Sequence, residues 1–295
     1  MIFDVHMHLP FQDIFPDAFL DGLVLEAGIK NPTQQKLMKK MARAYLKDEN
    51  GDKLVAEMDE AGIDKSVLLI ADFGIALGEP ALTLAEMYAH HEKVLNRHPD
   101  RFVLFGGVDP ARGQQGIDLF EKYVSRGVFK GLKLYPPCGF EMDDTRLYPL
   151  FEVCSEHGLP VLSHTGPSLG SLRTERRFPE AIRKVSGDFK KVNFILGHGG
   201  AVEWQQNMQL AKEIPNIYYE ISTFQAVEPN QDALKTQLRQ MIEETPDKLM
   251  FGTDWPMFLM GSSLKQIVSL LFEMGFKNDT LFEQFYYKNI SKLLQ

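Results

Sequence analysis

Two cysteines, Cys138 and Cys154, in 295 residues are too few for a disulfide framework. Long apolar runs are also missing: the longest, such as Ser66 to Ala71, fall far short of the roughly 18 residues a membrane span needs. The N-terminus lacks the basic, apolar and small-residue order of a signal peptide. Positive charge is short as well, with 32 Lys and Arg against 40 Asp and Glu, and the net charge of −8 disfavours nucleic acid and anionic membrane surfaces. An anionic substrate must then be met by local charge. No internal repeat, low-complexity tract or Gly/Ser linker divides the chain. These absences predict a cytoplasmic globular protein in a reducing compartment, with neither nucleic acid nor membrane as partner.

What the chain does contain is an alternation of short apolar runs with longer stretches of helical spacing. The apolar runs are Ile2 to Val5, Ser66 to Ile70, Phe102 to Val108, Gly131 to Tyr135, Pro160 to Ser163, Val192 to Leu196, Ile217 to Ile221 and Leu249 to Gly252. Helical stretches follow them over Leu54 to Ala61, Ala81 to Arg97, Gln115 to Ser125, Leu147 to His157, Pro179 to Val185, Val202 to Ile214, Gln231 to Glu244, Ser263 to Met274 and Thr280 to Leu294. Strands that are apolar on both faces, each followed by a helix, imply a parallel sheet, and eight such units predict a (β/α)8 TIM barrel in one domain over 1–295. The connection from about residue 10 to 52 is too long for a plain loop and carries its own helix, Thr33 to Leu46; it is expected to cover the barrel mouth as a cap or lid.

Catalytic groups of such barrels sit at the C-terminal ends of the strands. The first strand ends in His6 and His8, which a period of two turns to the same side, a pair suited to a divalent transition metal. Lys133 lies inside an apolar run on the fourth strand, where an amine must be paired or modified. Three readings stay open for it: a carbamylated metal bridge, a contact to a substrate anion, or a structural lysine. His164 and His198 end the fifth and sixth strands before Gly-containing turns, and Asp254 follows the eighth. Each alone is weak, but they recur at matching positions.

In this order the His-x-His pair, the strand-four lysine, the two later histidines and the strand-eight aspartate resemble the amidohydrolase superfamily, in particular its amidohydrolase-related ("amidohydrolase 2") branch, over nearly the whole chain. The resemblance implies that His6, His8, His164 and Asp254 bind one divalent metal, zinc by expectation, and that His198 binds a second metal or polarises the substrate. A carbamylated Lys133 would bridge two metals. The expected activity is hydrolysis of an ester, lactone or amide bond in a small molecule by a metal-activated water, with Asp254 as base and His198 supporting the developing oxyanion. The alternatives are non-oxidative decarboxylation or hydration of a small carboxylic acid, and a barrel that binds metal without turnover. The Gly199-Gly200 pair after His198 favours hydrolysis over the Gly-Glu pattern of the branch's decarboxylases.

Around that set, Arg173, Arg176 and Arg177 either grip a substrate carboxylate or form a solvated cluster. Phe11, Phe73, Tyr135 and Trp255 either wall a pocket or anchor loops. Cys138 reads as a small apolar residue, and His90, His91, His98 and His157 as surface or capping histidines. Association as a homodimer is left open.

Overall fold

Eight parallel strands hydrogen-bond in sequence order in the computed structural model, which describes residues 1–26, 28–172, 177–227, 230–257, 262–277 and 279–295. They are β1 (Phe3–Met7), β2 (Lys65–Leu69), β3 (Phe102–Gly107), β4 (Phe129–Leu134), β5 (Val161–His164), β6 (Phe194–Gly197), β7 (Ile217–Glu220) and β8 (Leu249–Met250). Beyond β8 the chain runs on beside β1: Val5 donates to the Phe251 carbonyl at 3.0 Å and His8 to that of Trp255 at 2.7 Å, which closes the ring. This is the (β/α)8 TIM barrel that the alternating pattern predicts. Almost every strand residue is buried because helices cover the outside and side chains fill the inside.

One irregularity positions the site. Asp4 pairs with Ser66 and Met7 with Leu68, so β1 carries one residue more than β2 over that stretch, a bulge. Phe3 and Val5 join Val67, Leu69, Phe105, Leu162, Ile195, Tyr218 and Met250 in the barrel's inner cluster. A strict period of two would send His6 outward. The bulge changes the phase, and His6 and His8 face the barrel mouth instead. The Asp4 carboxylate accepts from the His6 amide at 2.9 Å and from that of Thr253 at 3.2 Å, which holds the bulge against β8.

The connection from β1 leaves and returns at adjoining points, since Gln12 donates to the Leu46 carbonyl at 2.9 Å and Asp48 to that of Pro10, also at 2.9 Å. It holds α1 (Asp17–Glu26) and α2 (Pro32–Tyr45). The sequence pattern shows only the second; α1 (DAFLDGLVLE) is apolar on several sides and contains Gly22, so it has little periodic contrast. The next helices are α3 (Asp52–Ala61) and α4 (Leu84–Arg97), the latter started by a Thr83–Glu86 capping box. The predicted last helix is broken into a 3-10 turn at Thr280–Phe282, a π turn at Gln284–Lys288 and an α turn at Asn289–Leu293. Among the described residues, no helix is long and apolar enough to cross a membrane.

Candidate metal centre and substrate cavity

A cavity of about 330 Å³ opens at the C-terminal ends of the strands, and His6, His8, Lys133, His164, His198 and Asp254 all line it. The six residues that the sequence singles out at five different strand ends therefore meet in one place. Each is buried, between 1 and 7 % exposed.

Hydrogen bonding fixes which nitrogen each imidazole presents. His6 Nδ1 lies 2.8 Å from Glu220 Oε1, and His8 Nδ1 lies 3.0 Å from the Leu69 carbonyl. Both partners are acceptors, so both Nδ1 atoms carry the proton and both Nε2 atoms present lone pairs. Those two Nε2 atoms each lie 3.3 Å from Asp254 Oδ1. Burial, with Lys133 and His8 adding to it, pushes the His6 pKa well below its usual value, so an ion pair between His6 and Asp254 at neutral pH is the wrong description. Three buried acceptors converging on one point are what a divalent cation needs, and these ligand atoms all fall within 4.8 Å of one another.

Glu220, which the sequence reading passed over, is the carboxylate behind this arrangement. It is fully buried at the end of β7 and accepts from His6 Nδ1, from the His198 amide at 2.6 Å, and from the Ser222 amide and hydroxyl at 2.5 and 2.8 Å. His6, His198 and Glu220 also lie close enough to share an ion. With four donors already on its two oxygens, Glu220 is better described as the group that orients His6. Gly252 makes this possible, since a Cβ there would come within 2.6 Å of Glu220 Oε2. The signal was legible: Glu220 stands two residues after Tyr218, on the inward phase of an apolar strand.

The second histidine pair shares a proton site. His164 Nε2 bonds the carbonyls of Gly166 at 3.0 Å and Pro167 at 2.9 Å, so its Nδ1 lone pair points to His198 Nε2, 3.0 Å away. His198 Nδ1 meets the Ser222 hydroxyl at 2.8 Å. The lone pair on His164 Nδ1 requires that His198 Nε2 carry the proton, so His198 Nδ1 is an acceptor and competes with Glu220 Oε1, also at 2.8 Å, for the single Ser222 hydroxyl proton. Burial and the neighbouring His164 hold the His198 pKa well below its usual value. A Cβ on Gly166 would lie 2.8 Å from the His198 ring, so only glycine lets the two turns approach.

Lys133 Nζ lies 3.4 Å from His6 Nε2, and burial draws its pKa down to about 8. The facing wall is apolar and aromatic. Phe15 and Phe19 come from the segment after β1, and Phe73 and Tyr135 follow β2 and β4, with Phe19 stacked on Phe73 at 4.4 Å between ring centres. Phe73 and Tyr135 thus wall the cavity as one of the two sequence readings held. Phe11 and Trp255 take the other reading: Phe11 stacks on His90, and the Trp255 indole donates to Glu57 at 2.9 Å away from this cavity.

Of the arginines, Arg173 and Arg176 lie outside the described residues, and Arg177, exposed and paired with Asp143 at 2.5 Å, is not among the residues lining the cavity. Cys138 is partly buried outside the cavity, its thiol pushed up to about 12 by burial. One reading needs correction: His91 is not a surface residue. It is fully buried on the inner face of α4 among Met87, Tyr88 and Val94, where its Nδ1 bonds the Met87 carbonyl.

A family profile described as Amidohydrolase matches residues 3–295. No curated protein matches the chain by sequence. Among solved structures, an uncharacterized TIM-barrel protein, Bb4693 from Bordetella bronchiseptica, is 21% identical with a TM-score of 0.69, over 99% of this chain and 98% of that one. The 5-carboxyvanillate decarboxylase LigW from Sphingomonas paucimobilis is 16% identical with a TM-score of 0.66, over 99% and 98%. A dihydroxybenzoic acid decarboxylase from Polaromonas sp. JS666, solved with bound manganese and the inhibitor 2-nitroresorcinol, is 16% identical with a TM-score of 0.64, over 99% and 97%. At these identities the likeness is one of fold.

Proposed function

This chain belongs to the amidohydrolase family, and from that premise we propose that it is a metal-dependent enzyme that removes the carboxyl group of a small aromatic or largely apolar acid. The observation that carries this reading is the pairing of a buried cluster, three convergent acceptors and the Lys133 amine, with an aromatic wall across the same cavity.

His6, His8 and Asp254 would hold a divalent cation such as manganese or zinc, which when bound polarises an oxygen of the acid as a Lewis acid, and His164 would join them only by turning its Nδ1 from His198. Lys133 meets the carboxylate through a charge-assisted hydrogen bond. Phe15, Phe19, Phe73 and Tyr135 exclude water, and a dry wall favours a step in which an anionic carboxylate becomes neutral carbon dioxide. The C–C bond to the carboxyl carbon breaks, its electron pair stays on the substrate carbon, and a proton that originates in solvent and is passed on by His198 fills the vacated position, His198 taking up one proton for each that it delivers. The decarboxylases of like fold support this reading.

Hydrolysis of an ester, lactone or amide is the second reading. It is favoured by Asp254 Oδ1, which at 3.3 Å from both Nε2 atoms can take a proton from a nearby water. The deciding experiment loads the protein with manganese or zinc and offers benzoates, esters and lactones. Carbon dioxide release with one deuterium incorporated from D2O supports decarboxylation. Ester or lactone cleavage without it favours hydrolysis, and a protein that binds no stoichiometric metal overturns both.

A further inference from the structure

Asp254 adopts left-handed backbone at φ of 60°, the region that favours glycine, and in that conformation its Oδ1 lies 3.3 Å from both His6 and His8 Nε2. A side chain stays in such a conformation only where its surroundings over-determine it. The Asp254 amide donates to the His6 carbonyl at 2.7 Å, and its carbonyl accepts from the Met257 amide at 2.8 Å. The next residue, Trp255, is held by backbone and by ring. Its carbonyl accepts from the His8 amide at 2.7 Å, and its buried indole donates to Glu57 on α3 at 2.9 Å.

Glu57 has a second donor from a different part of the chain. The hydroxyl of Tyr45, the last residue of α2, lies 2.7 and 2.6 Å from its two oxygens, and Lys53 approaches Oε1 at 3.7 Å. Tyr45, Glu57 and Trp255 line a separate cavity of about 730 Å³, and none of the three lines the metal cavity. Whatever Glu57 contributes to the metal centre therefore passes through Trp255. On its other side the clamp reaches the aromatic wall: α2 is paired with α1, Arg43 with Asp17 at 2.8 Å and Lys39 with Asp21 at 2.9 Å, and α1 carries Phe19.

We propose that Glu57 is a positioning residue for the metal centre: by holding the Trp255 indole against the end of α2 it keeps Asp254 in its left-handed conformation, so the seating of the connection after β1 sets how tightly Asp254 binds a cation. This rests on the reading of His6, His8 and Asp254 as metal ligands. A carboxylate suits the role because it accepts from both rings at once. Glutamine keeps both contacts, its carbonyl accepting from the indole and its amide donating to the Tyr45 oxygen. The Lys53 pair lost with the charge is partly exposed and contributes little.

Zinc titration by calorimetry tests it on Glu57→Ala, Glu57→Gln and Tyr45→Phe, with Trp255 emission read alongside in a Trp204→Phe background that leaves one tryptophan. Glu57→Ala is expected to weaken zinc binding about tenfold and Tyr45→Phe about threefold, while Glu57→Gln stays near the native value. The two losses do not add, since Tyr45→Phe has no further effect once Glu57 is replaced by alanine. Zinc shifts Trp255 emission saturably in the Trp204→Phe background, and Glu57→Ala abolishes that shift. A contact that only stabilises the fold would lower the melting temperature and leave zinc affinity and the emission response as they are; that result overturns the role of Glu57 while the metal site stands. If the native protein binds no stoichiometric zinc, both fall. Should Glu57→Ala fail to fold, Tyr45→Phe, which removes a single hydroxyl, decides by the same two readouts.

Discussion

His6 Nδ1 donates to Glu220 Oε1 at 2.8 Å, reaching from β1 past β8 to β7, and this single bond decides that His6 offers Nε2 to the cavity. An imidazole held in one tautomer by a buried carboxylate is a better metal ligand than one that must choose. Glu220→Gln removes an acceptor oxygen and leaves the donors of Ser222 and His198 short of partners. Metal affinity is expected to fall about 10- to 100-fold, with the apo protein also less stable, as read by metal titration and urea unfolding. Unchanged affinity would show that the His6 tautomer does not depend on Glu220.

The cluster itself predicts that His6→Ala/His8→Ala loses stoichiometric metal but keeps its fold, because both side chains line a cavity rather than the packed inner cluster. Chelation of the native protein should lower its melting temperature, since metal at about 100 times its Kd contributes about 2.7 kcal/mol to the folded state. Elemental analysis and calorimetry check both. Retention of metal by the double variant would sink the assignment.

Much of this was legible in the sequence, and the limits are physical. The eight apolar runs locate the strands to within about two residues, and recurrence at strand ends picks out His6, His8, Lys133, His164, His198 and Asp254 before any geometry. The bulge in β1 was not legible, because the extra residue looks like any other in the run Phe3 to Met7. Phe19 reaches the cavity from a helix with little periodicity and Phe15 from the extended stretch just before it, so nothing in the sequence marks them as walls. His91 was misread because its neighbour His90 is partly exposed, and adjacent helix positions differ by about 100° in facing.

Asp4 predicts a pH dependence of stability. Burial raises its pKa from 3.8 to about 8, and one of its oxygens has no partner. Between about pH 4 and 8 the folded chain therefore keeps a proton that the unfolded chain has lost, so raising the pH through that window weakens folding. Asp4→Asn cannot ionise and escapes the loss. The stability of Asp4→Asn relative to the native protein should rise from pH 5 to pH 8 and level off above, measured in the metal-free state by urea unfolding. A difference independent of pH would contradict a protonated Asp4.

The stacked wall predicts a binding effect. Phe19→Ala removes the ring that lies 4.4 Å from Phe73 and widens the cavity without touching the polar cluster. An aromatic acid should lose about tenfold in affinity, consistent with roughly 0.5–1.5 kcal/mol for an aromatic pair plus lost apolar contact. Metal content should stay the same. An equal loss for an aliphatic acid of the same length would argue against ring recognition.

Lys133 separates the three roles open to it. Its amine is buried, 3.4 Å from His6 Nε2, and burial lowers its pKa from 10.5 to about 8, so the folded chain pays for the charge at neutral pH. Lys133→Met removes that penalty, and the metal-free variant should be more stable than the native protein below pH 8, with the advantage fading as pH rises from about 8 to 10.5, where the native folded chain sheds its proton first. A purely structural lysine would give the reverse, a destabilised variant. A carbamylated bridge would appear as loss of a second metal equivalent in Lys133→Met, together with a carbamate signal in the native protein grown with labelled bicarbonate. A contact to the substrate anion would leave one metal in place and weaken benzoate binding by about tenfold or more, while a neutral ester of the same acid binds as before. The apolar wall on the far side of the cavity favours the last outcome, because Lys133 is the only lysine or arginine among the described residues lining it.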